Sequence, residues 1–225
     1  MTTEEVAPDV LRIAVVEFDL VNVYVVDGIL VDSGGRLAHK RLLATLAGRT
    51  LRAHTLTHAH FDHQGSSHAI CDSLKIPLWC GAGDRIAVES GNQATLFAAP
   101  RGVAATVATW LAGPPHPVTR VLREGDAVGT FTAIEAPGHT PGHLAYWRAA
   151  DRVLLIGDVL FNRNPLTLRR GLQEPFGFAT ADPTLNRRTA RRLAALDPAV
   201  VCFGHGAPLR NMEYFHRIVG ELGEI

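Results

Sequence analysis

The nine residues Thr57–Gly65 constrain this chain more than any others. They read Thr-His-Ala-His-Phe-Asp-His-Gln-Gly, placing four groups able to hold a metal ion within six residues. The preceding stretch Leu51–Thr57 is expected to be a strand, and residues two apart in extended chain point the same way. His58 and His60 can therefore grip one ion side by side. Asp62 and His63 come as the chain turns toward a helix expected over Gln64–Leu74, so they can face a second ion. Imidazole and carboxylate without thiolate suit Zn2+, Fe or Mn rather than Cu(I). Three more candidates sit where strands are expected to run into loops, each beside glycine: His139 in Pro137-Gly-His-Thr-Pro-Gly-His143, Asp158 in Gly157-Asp158, and His205 in Gly204-His205-Gly206. Glycine lets the backbone bend tightly there and bring a short side chain to a shared centre. One such His or Asp is ordinarily a surface or hydrogen-bonding group. Five imidazoles and two carboxylates clustered without partners would cost desolvation energy, which argues against a purely structural role.

The remaining pattern is short strands first, then strands alternating with helices. Val10–Phe18 and Val21–Val26 are β-rich, Asp27-Gly28 is a hairpin turn, and Ile29–Asp32 returns. A helix is expected over Ala38–Ala47 and a strand over Ile76–Cys80. The Ala-rich stretch Gly83–Pro117, interrupted by Pro100 and by Pro114-Pro115-His116-Pro117, is expected to be partly helical. Strands follow near Val118–Leu122, Thr130–Glu135, Leu144–Arg148 and Val153–Ile156. Phe161–Ala181 reads as a long loop, the usual form of a lid or binding loop. A helix capped by Asp182, with Pro183 in its first turn, runs to about Leu196. Strand Ala199–Phe203 and a helix over Met212–Leu222 close the chain. With no fixed-period repeat and no polar linker, residues 1–225 read as a single α/β domain.

Composition excludes several classes. Lys plus Arg (22) balances Asp plus Glu (22), so bulk charge nominates no nucleic acid or other polyanion. No apolar run approaches the ~18–20 residues of a membrane span, and the acidic start Met1–Asp9 lacks the features of a signal peptide. The three cysteines, Cys71, Cys80 and Cys202, form no C-x-x-C pair, which favours a reducing, cytoplasmic setting. On the Asp182 helix, Arg187, Arg188 and Arg191 point away from the Leu185–Thr189–Leu193–Leu196 stripe and need only solvent, while Arg192 flanks it.

These motifs resemble the metallo-β-lactamase superfamily of metal-dependent hydrolases. The resemblance spans most of the chain: Asn22-Val-Tyr24, Val31-Asp-Ser-Gly34, His58-x-His60-x-Asp62-His63, Gly138-His139, Gly157-Asp158 and Gly204-His205. It implies an αβ/βα four-layer sandwich, two mixed sheets face to face with helices outside. It further implies that His58, His60 and His139 hold one divalent metal and that Asp62, His63 and His205 hold another, with Asp158 bridging both. Zn2+ is the first expectation, with Fe or Mn as alternatives. Asp62 and Asp158 carry the catalytic role, and a metal-bridging hydroxide attacks an ester, thioester or lactone of a small-molecule substrate. The nearest likeness is to the glyoxalase II-like and lactonase-like branches. Arg163, Arg169 and Arg170 hint at an anionic substrate, and Phe161, Phe176 and Phe178 at an apolar wall. The competing readings are a mononuclear-iron persulfide dioxygenase on His58, His60 and His139, and a phosphodiesterase or nuclease of the same fold. A homodimer is compatible with the sequence. His143 and Asp32 are candidates to support the ligands, whereas His39, His68, His116 and His216 have no chemical company. His54 is expected to be half-buried and hydrogen-bonded.

Overall fold

Apolar runs covered on both faces give the chain its framework. In β3 (Val21–Val26) all six residues are buried, as a strand between two layers requires. Val21, Val23 and Val25 join one core, while Tyr24 and Val26 join another. The computed structural model describes residues 1–96, 106 and 109–223. A seven-stranded sheet runs in chain order through β1 (Thr2–Ala7), β2 (Val10–Val16), β3, β4 (Ile29–Val31), β5 (Ala53–Thr55), β6 (Leu78–Gly81) and β7 (Arg120–Leu122). Its first four strands are an antiparallel meander and the rest are parallel. The hairpin at Asp27-Gly28 has φ of 49° and 73°, the left-handed pair that such a tight turn needs.

The second sheet is built from the later chain: β8 (Ala127–Val128), β9 (Phe131–Glu135), β10 (Leu144–Arg148), β11 (Val153–Gly157) and β14 (Val200–Phe203), in the order β14-β11-β10-β9-β8. Tyr24, Val26, Ile29 and Val31 meet Phe131, Ala133, Tyr146 and Leu155 between the sheets. Outside the first sheet lie α1 (His39–Leu46), α3 (Ser67–Leu74) and α4 (Arg85–Ser90), with Leu42, Ile70 and Val88 packed inward. Outside the second lie α5 (Pro183–Ala194) and α6 (Met212–Glu221), which bury Leu193, Phe215 and Val219. The four-layer αβ/βα sandwich is as expected.

Several local expectations change. The edge strand β1 went unread because its polar residues are almost all exposed and show no alternation; Glu4 instead pairs with Arg12 at 2.8 Å. The helix expected over Gln64–Leu74 is two pieces, α2 (Phe61–Gln64) and α3, broken where Gly65 passes against the Gly35-Arg36 backbone. Phe161–Ala181 is not one loop. It holds the two-stranded hairpin β12 (Phe161–Arg163) and β13 (Arg170–Gln173), then a 3-10 turn at Gly177–Ala179. Within Gly83–Pro117, α4 bears out part of the helical expectation; residues 97–105 and 107–108 lie outside the described residues. Asp182 caps α5 as expected, accepting from Leu185 N at 2.9 Å. The α5 arginines do more than meet solvent: Arg187 pairs with Glu174 at 2.5 Å, Arg191 donates to Leu222 O, and Arg192 donates to Glu135 O.

Two tyrosine hydroxyls cross between the sheets, and Tyr24 on β3 donates to Phe203 O on β14 at 2.8 Å. Tyr146 on β10 donates to Leu56 O at 2.6 Å and lies 2.8 Å from Thr55 Oγ1 on β5. Tyr146→Phe leaves both of these buried groups short of a partner, so it should cost about 1–3 kcal/mol of unfolding free energy in urea titration. Wild-type stability would show that the cross-sheet bond is unimportant.

Candidate metal centre

All seven expected residues converge at one edge of the sandwich, where strands give way to loops. His58 and His60 follow β5, and α2 starts at once to turn Asp62 and His63 inward. His139 lies beyond β9, Asp158 directly after β11 and His205 just past β14. Asp158 Oδ2 sits in the middle, 3.0 Å from His205 Nε2, 3.4 Å from His63 Nε2, 3.6 Å from His139 Nε2 and 3.7 Å from His58 Nε2. Asp62 Oδ2 is 3.4 Å from His205 Nε2 and 4.0 Å from His63 Nε2. Potential ligand atoms of His58, His60 and His139 lie within 4.8 Å of one another, as do those of Asp62, His63 and His205, and those of His58, His63 and Asp158. Backbone space is part of the design. A side chain at Gly204 would run into the Asp158 carboxylate and His63, and one at Gly157 (φ 51°) would press on His143 and Thr57.

Hydrogen bonds on the far side of each ring set the tautomers. Thr57 Oγ1 spends its proton on Asp32 Oδ2 (2.7 Å), so His58 Nδ1, at 3.1 Å, is the donor to Thr57 Oγ1. Thr180 Oγ1 likewise donates to Phe176 O, which makes His139 Nδ1 the donor at 3.2 Å. His63 Nδ1 donates to Asp32 Oδ2 at 2.9 Å and His205 Nδ1 donates to Leu20 O. His60 uses Nε2 toward Leu96 O at 3.4 Å. Four Nε2 atoms therefore face Asp158. The Nε2 atoms of His58, His63 and His139 and the Oδ1 of Asp158 are buried without a hydrogen-bond partner. Buried lone pairs that converge unpaired fit a cation, and a protein acceptor behind each ligand ring is how such sites are oriented.

The electrostatics divide the site. Burial drives His58 and His139 well below the usual imidazole range, aided by neighbouring imidazoles, and takes His60 down to about 4. For His63 and His205, burial pushes downward but is outweighed by Asp158 and Asp62, so both are raised. Burial would lift Asp158, yet His205 and His63 hold it well below the carboxylate range. One side thus offers neutral imidazoles, and on the other Asp158 and Asp62 face imidazoles that hold their protons more tightly.

Other polar residues hold the ligands in place. Asp32 also accepts Thr57 N at 2.7 Å, and Asp158 N donates to His143 Nε2 at 3.1 Å, so both candidates do support the ligand loops. Asp84 was missed. Its buried carboxylate accepts Ala59 N (2.9 Å), Thr140 Oγ1 (2.7 Å) and Gly142 N (2.7 Å), stitching the His58–His60 turn to the His139–His143 loop; burial raises it to about 6. A signal was present, since Asp84 follows a strand and a glycine just as Asp158 does. Asn22, of the Asn22-Val-Tyr24 motif, fixes the His205 loop, its Nδ2 donating to Gly206 O at 2.7 Å. His54 is fully buried rather than half-buried, bonded to Leu30 O and Ser67 Oγ. His68 and His116, read as isolated, face each other at 3.2 Å between Nδ1 atoms.

A cavity of about 390 Å³ opens onto His60, Asp62, His139, Asp158 and His205. Arg163, Arg169 and Arg170 are not among its lining residues. Arg163 and Arg170 line a separate concavity with Asp19 and Asn162, and Arg169 is exposed.

Two expectations follow. Asp32→Asn should weaken metal binding about 10–100-fold, read by competition with a chromogenic chelator, because the His63 ring loses its carboxylate partner; unchanged affinity would remove Asp32 from this role. The metal-free protein should also lose stability in acid. His54 and His60 are held to about 4 and His143 to about 3, so below pH ~6.5 the unfolded chain binds protons that the folded chain excludes. Each fully titrating imidazole contributes about 1.4 kcal/mol per pH unit of loss. Asp84 opposes this over roughly pH 4–6, where the folded state keeps a proton that the unfolded state has released. The urea midpoint should fall from pH 6.5 to 4, and a flat profile would contradict the burial described.

Comparison with known proteins agrees with the geometry. The family model described as the metallo-beta-lactamase superfamily matches residues 16–205. The chain is 26% identical over 204 residues to the probable metallo-hydrolase YflN of Bacillus subtilis (strain 168), covering 84% of this chain and 77% of that protein. It is 35% identical over 106 residues to a hydroxyacylglutathione hydrolase of Hamiltonella defensa, covering 45% of this chain and 38% of that protein. Among solved structures, TTHA1623 in a di-iron-bound form superposes with a TM-score of 0.71 at 28% identity, over 92% of this chain and 96% of that one. An αβ/βα sandwich, a cluster of seven His and Asp groups at its edge, and a family match across nearly the whole chain lead to one conclusion: this protein belongs to the metallo-β-lactamase superfamily and is a metal-dependent hydrolase.

Proposed function

We propose that the chain hydrolyses an ester, thioester or lactone at a centre holding two divalent metal ions, with Zn2+ the first expectation. The observation that carries this reading is the convergence of four imidazole Nε2 atoms on Asp158 Oδ2, flanked by the Asp62 carboxylate. His58, His60 and His139 would hold one ion, Asp62, His63 and His205 the other, and Asp158 would lie between. Such a pair supplies Lewis acidity and lowers the pKa of water toward 7. The protein's own part is to aim the imidazoles, through Asp32, Thr57, Thr180 and Leu20 O. Asp62, whose side chain is about a quarter exposed (24%) and lines the cavity, is placed to accept the proton of water and pass it to the leaving group. Hydrolysis then breaks the acyl C–O or C–S bond, with hydroxyl going to the acyl carbon and the proton to the departing oxygen or sulfur. Three buried, unpaired thiols support a reducing, cytoplasmic setting. Among the described residues no helix is long and apolar enough to cross a membrane.

Elemental analysis of protein purified without chelator should find about two ions per chain. A thioester, a lactone, a β-lactam and an aryl phosphodiester, assayed in parallel, should show turnover on the acyl substrates. Asp158→Ala should abolish that turnover and lower metal content while leaving the circular dichroism spectrum intact. Wild-type rates in this variant would overturn the assignment, and one iron per chain with no hydrolysis would favour a mononuclear dioxygenase.

A further inference from the structure

We propose that the cavity over the centre is a binding site for an apolar acyl group, alkyl or aryl, and that the acyl part of the substrate carries no charge. This rests on the hydrolase reading above and narrows its substrate class. Among the described residues, every one lining the cavity apart from the five candidate metal ligands is apolar, and none is arginine or lysine. Three aromatic rings lead outward from the centre. Phe161 lies 4.6 Å from the His205 ring, Phe176 lies 5.7 Å from Phe161, and Phe178 stacks on Phe176 at 5.3 Å with planes 9° apart. Phe161 is buried at 2% exposure, whereas Phe178 is 65% exposed.

Val16 (42% exposed) and Leu166 (69% exposed) also line the cavity, so apolar side chains of its lining reach from the ligand residues to solvent. Large apolar side chains left in water at the mouth of a site mark a surface that a ligand covers. A substrate charge placed along this wall would shed its hydration and find no partner. An acyl chain there would bring its carbonyl to Asp158 and Asp62 and lay its tail along Phe161, Phe176 and Phe178.

The test is a p-nitrophenyl ester series from acetyl to octanoyl, with matched esters ending in an ω-carboxylate. In the wild type, kcat/KM should rise about fourfold per methylene until the cavity is filled, which is ~0.8 kcal/mol per buried CH2 converted at RT. The ω-carboxylate should reverse that gain. Phe176→Ser and Leu166→Ser should each flatten the rise to below about twofold per methylene, while Leu37→Ser, at an exposed residue that does not line the cavity, should keep the full slope. Separately, metal-free protein should bind the neutral fluorophore N-phenyl-1-naphthylamine, and both cavity substitutions should weaken that binding. A flat wild-type series, or probe affinity equal in all variants, overturns the acyl site. If no ester is hydrolysed but the probe binds and both substitutions weaken it, the acyl site stands and the hydrolase reading falls.

Discussion

The cost of burying unpaired imidazole and carboxylate groups governs the local structure of this protein. Asp158 and four imidazole Nε2 atoms are packed within 3.7 Å at almost zero exposure, an arrangement that desolvation opposes. The surrounding structure is arranged to hold it. Asp32 ties Thr57 and His63 together, Asp84 joins two ligand loops, and Asn22 grips the turn that carries His205. Glycines at 157 and 204 leave the space those carboxylates and rings occupy. A framework this costly is worth keeping only for a cation.

The sandwich supplies what the site itself cannot. Strands β5, β11 and β14 each run into a loop that carries ligand residues, so the two sheets deliver side chains to one point. Charge is confined to the floor of the cavity, and the walls are phenylalanine, leucine and valine. In such surroundings electrostatic interactions are stronger than in water.

The site was legible in the sequence because its residues advertise themselves. Histidine spaced two apart after a strand, and His or Asp beside glycine at later strand ends, have few structural explanations. The supporting residues were harder to see, because a carboxylate such as Asp84 declares its role only through backbone N–H groups distant in the chain. Strands β3, β10 and β11 were readable from their apolar runs, whereas β1 offers no alternation and pairs only at an edge. The hairpin β12–β13 was hidden by its polar composition and by Pro165. The three arginines near it suggested a binding loop for anions, but two of them line another concavity and the third is exposed.

Each sheet is made from one continuous part of the chain, the first ending at Leu122 and the second beginning at Ala127. The ligand set is divided the same way: His58, His60, Asp62 and His63 belong to the earlier part, and His139, Asp158 and His205 to the later. The site therefore has no existence in either half. It is complete only when the two sheets are packed together, which requires long chain loops to be closed. A nascent chain that has emerged only as far as His63 can offer a metal at most part of a ligand set, so full loading belongs to the finished protein.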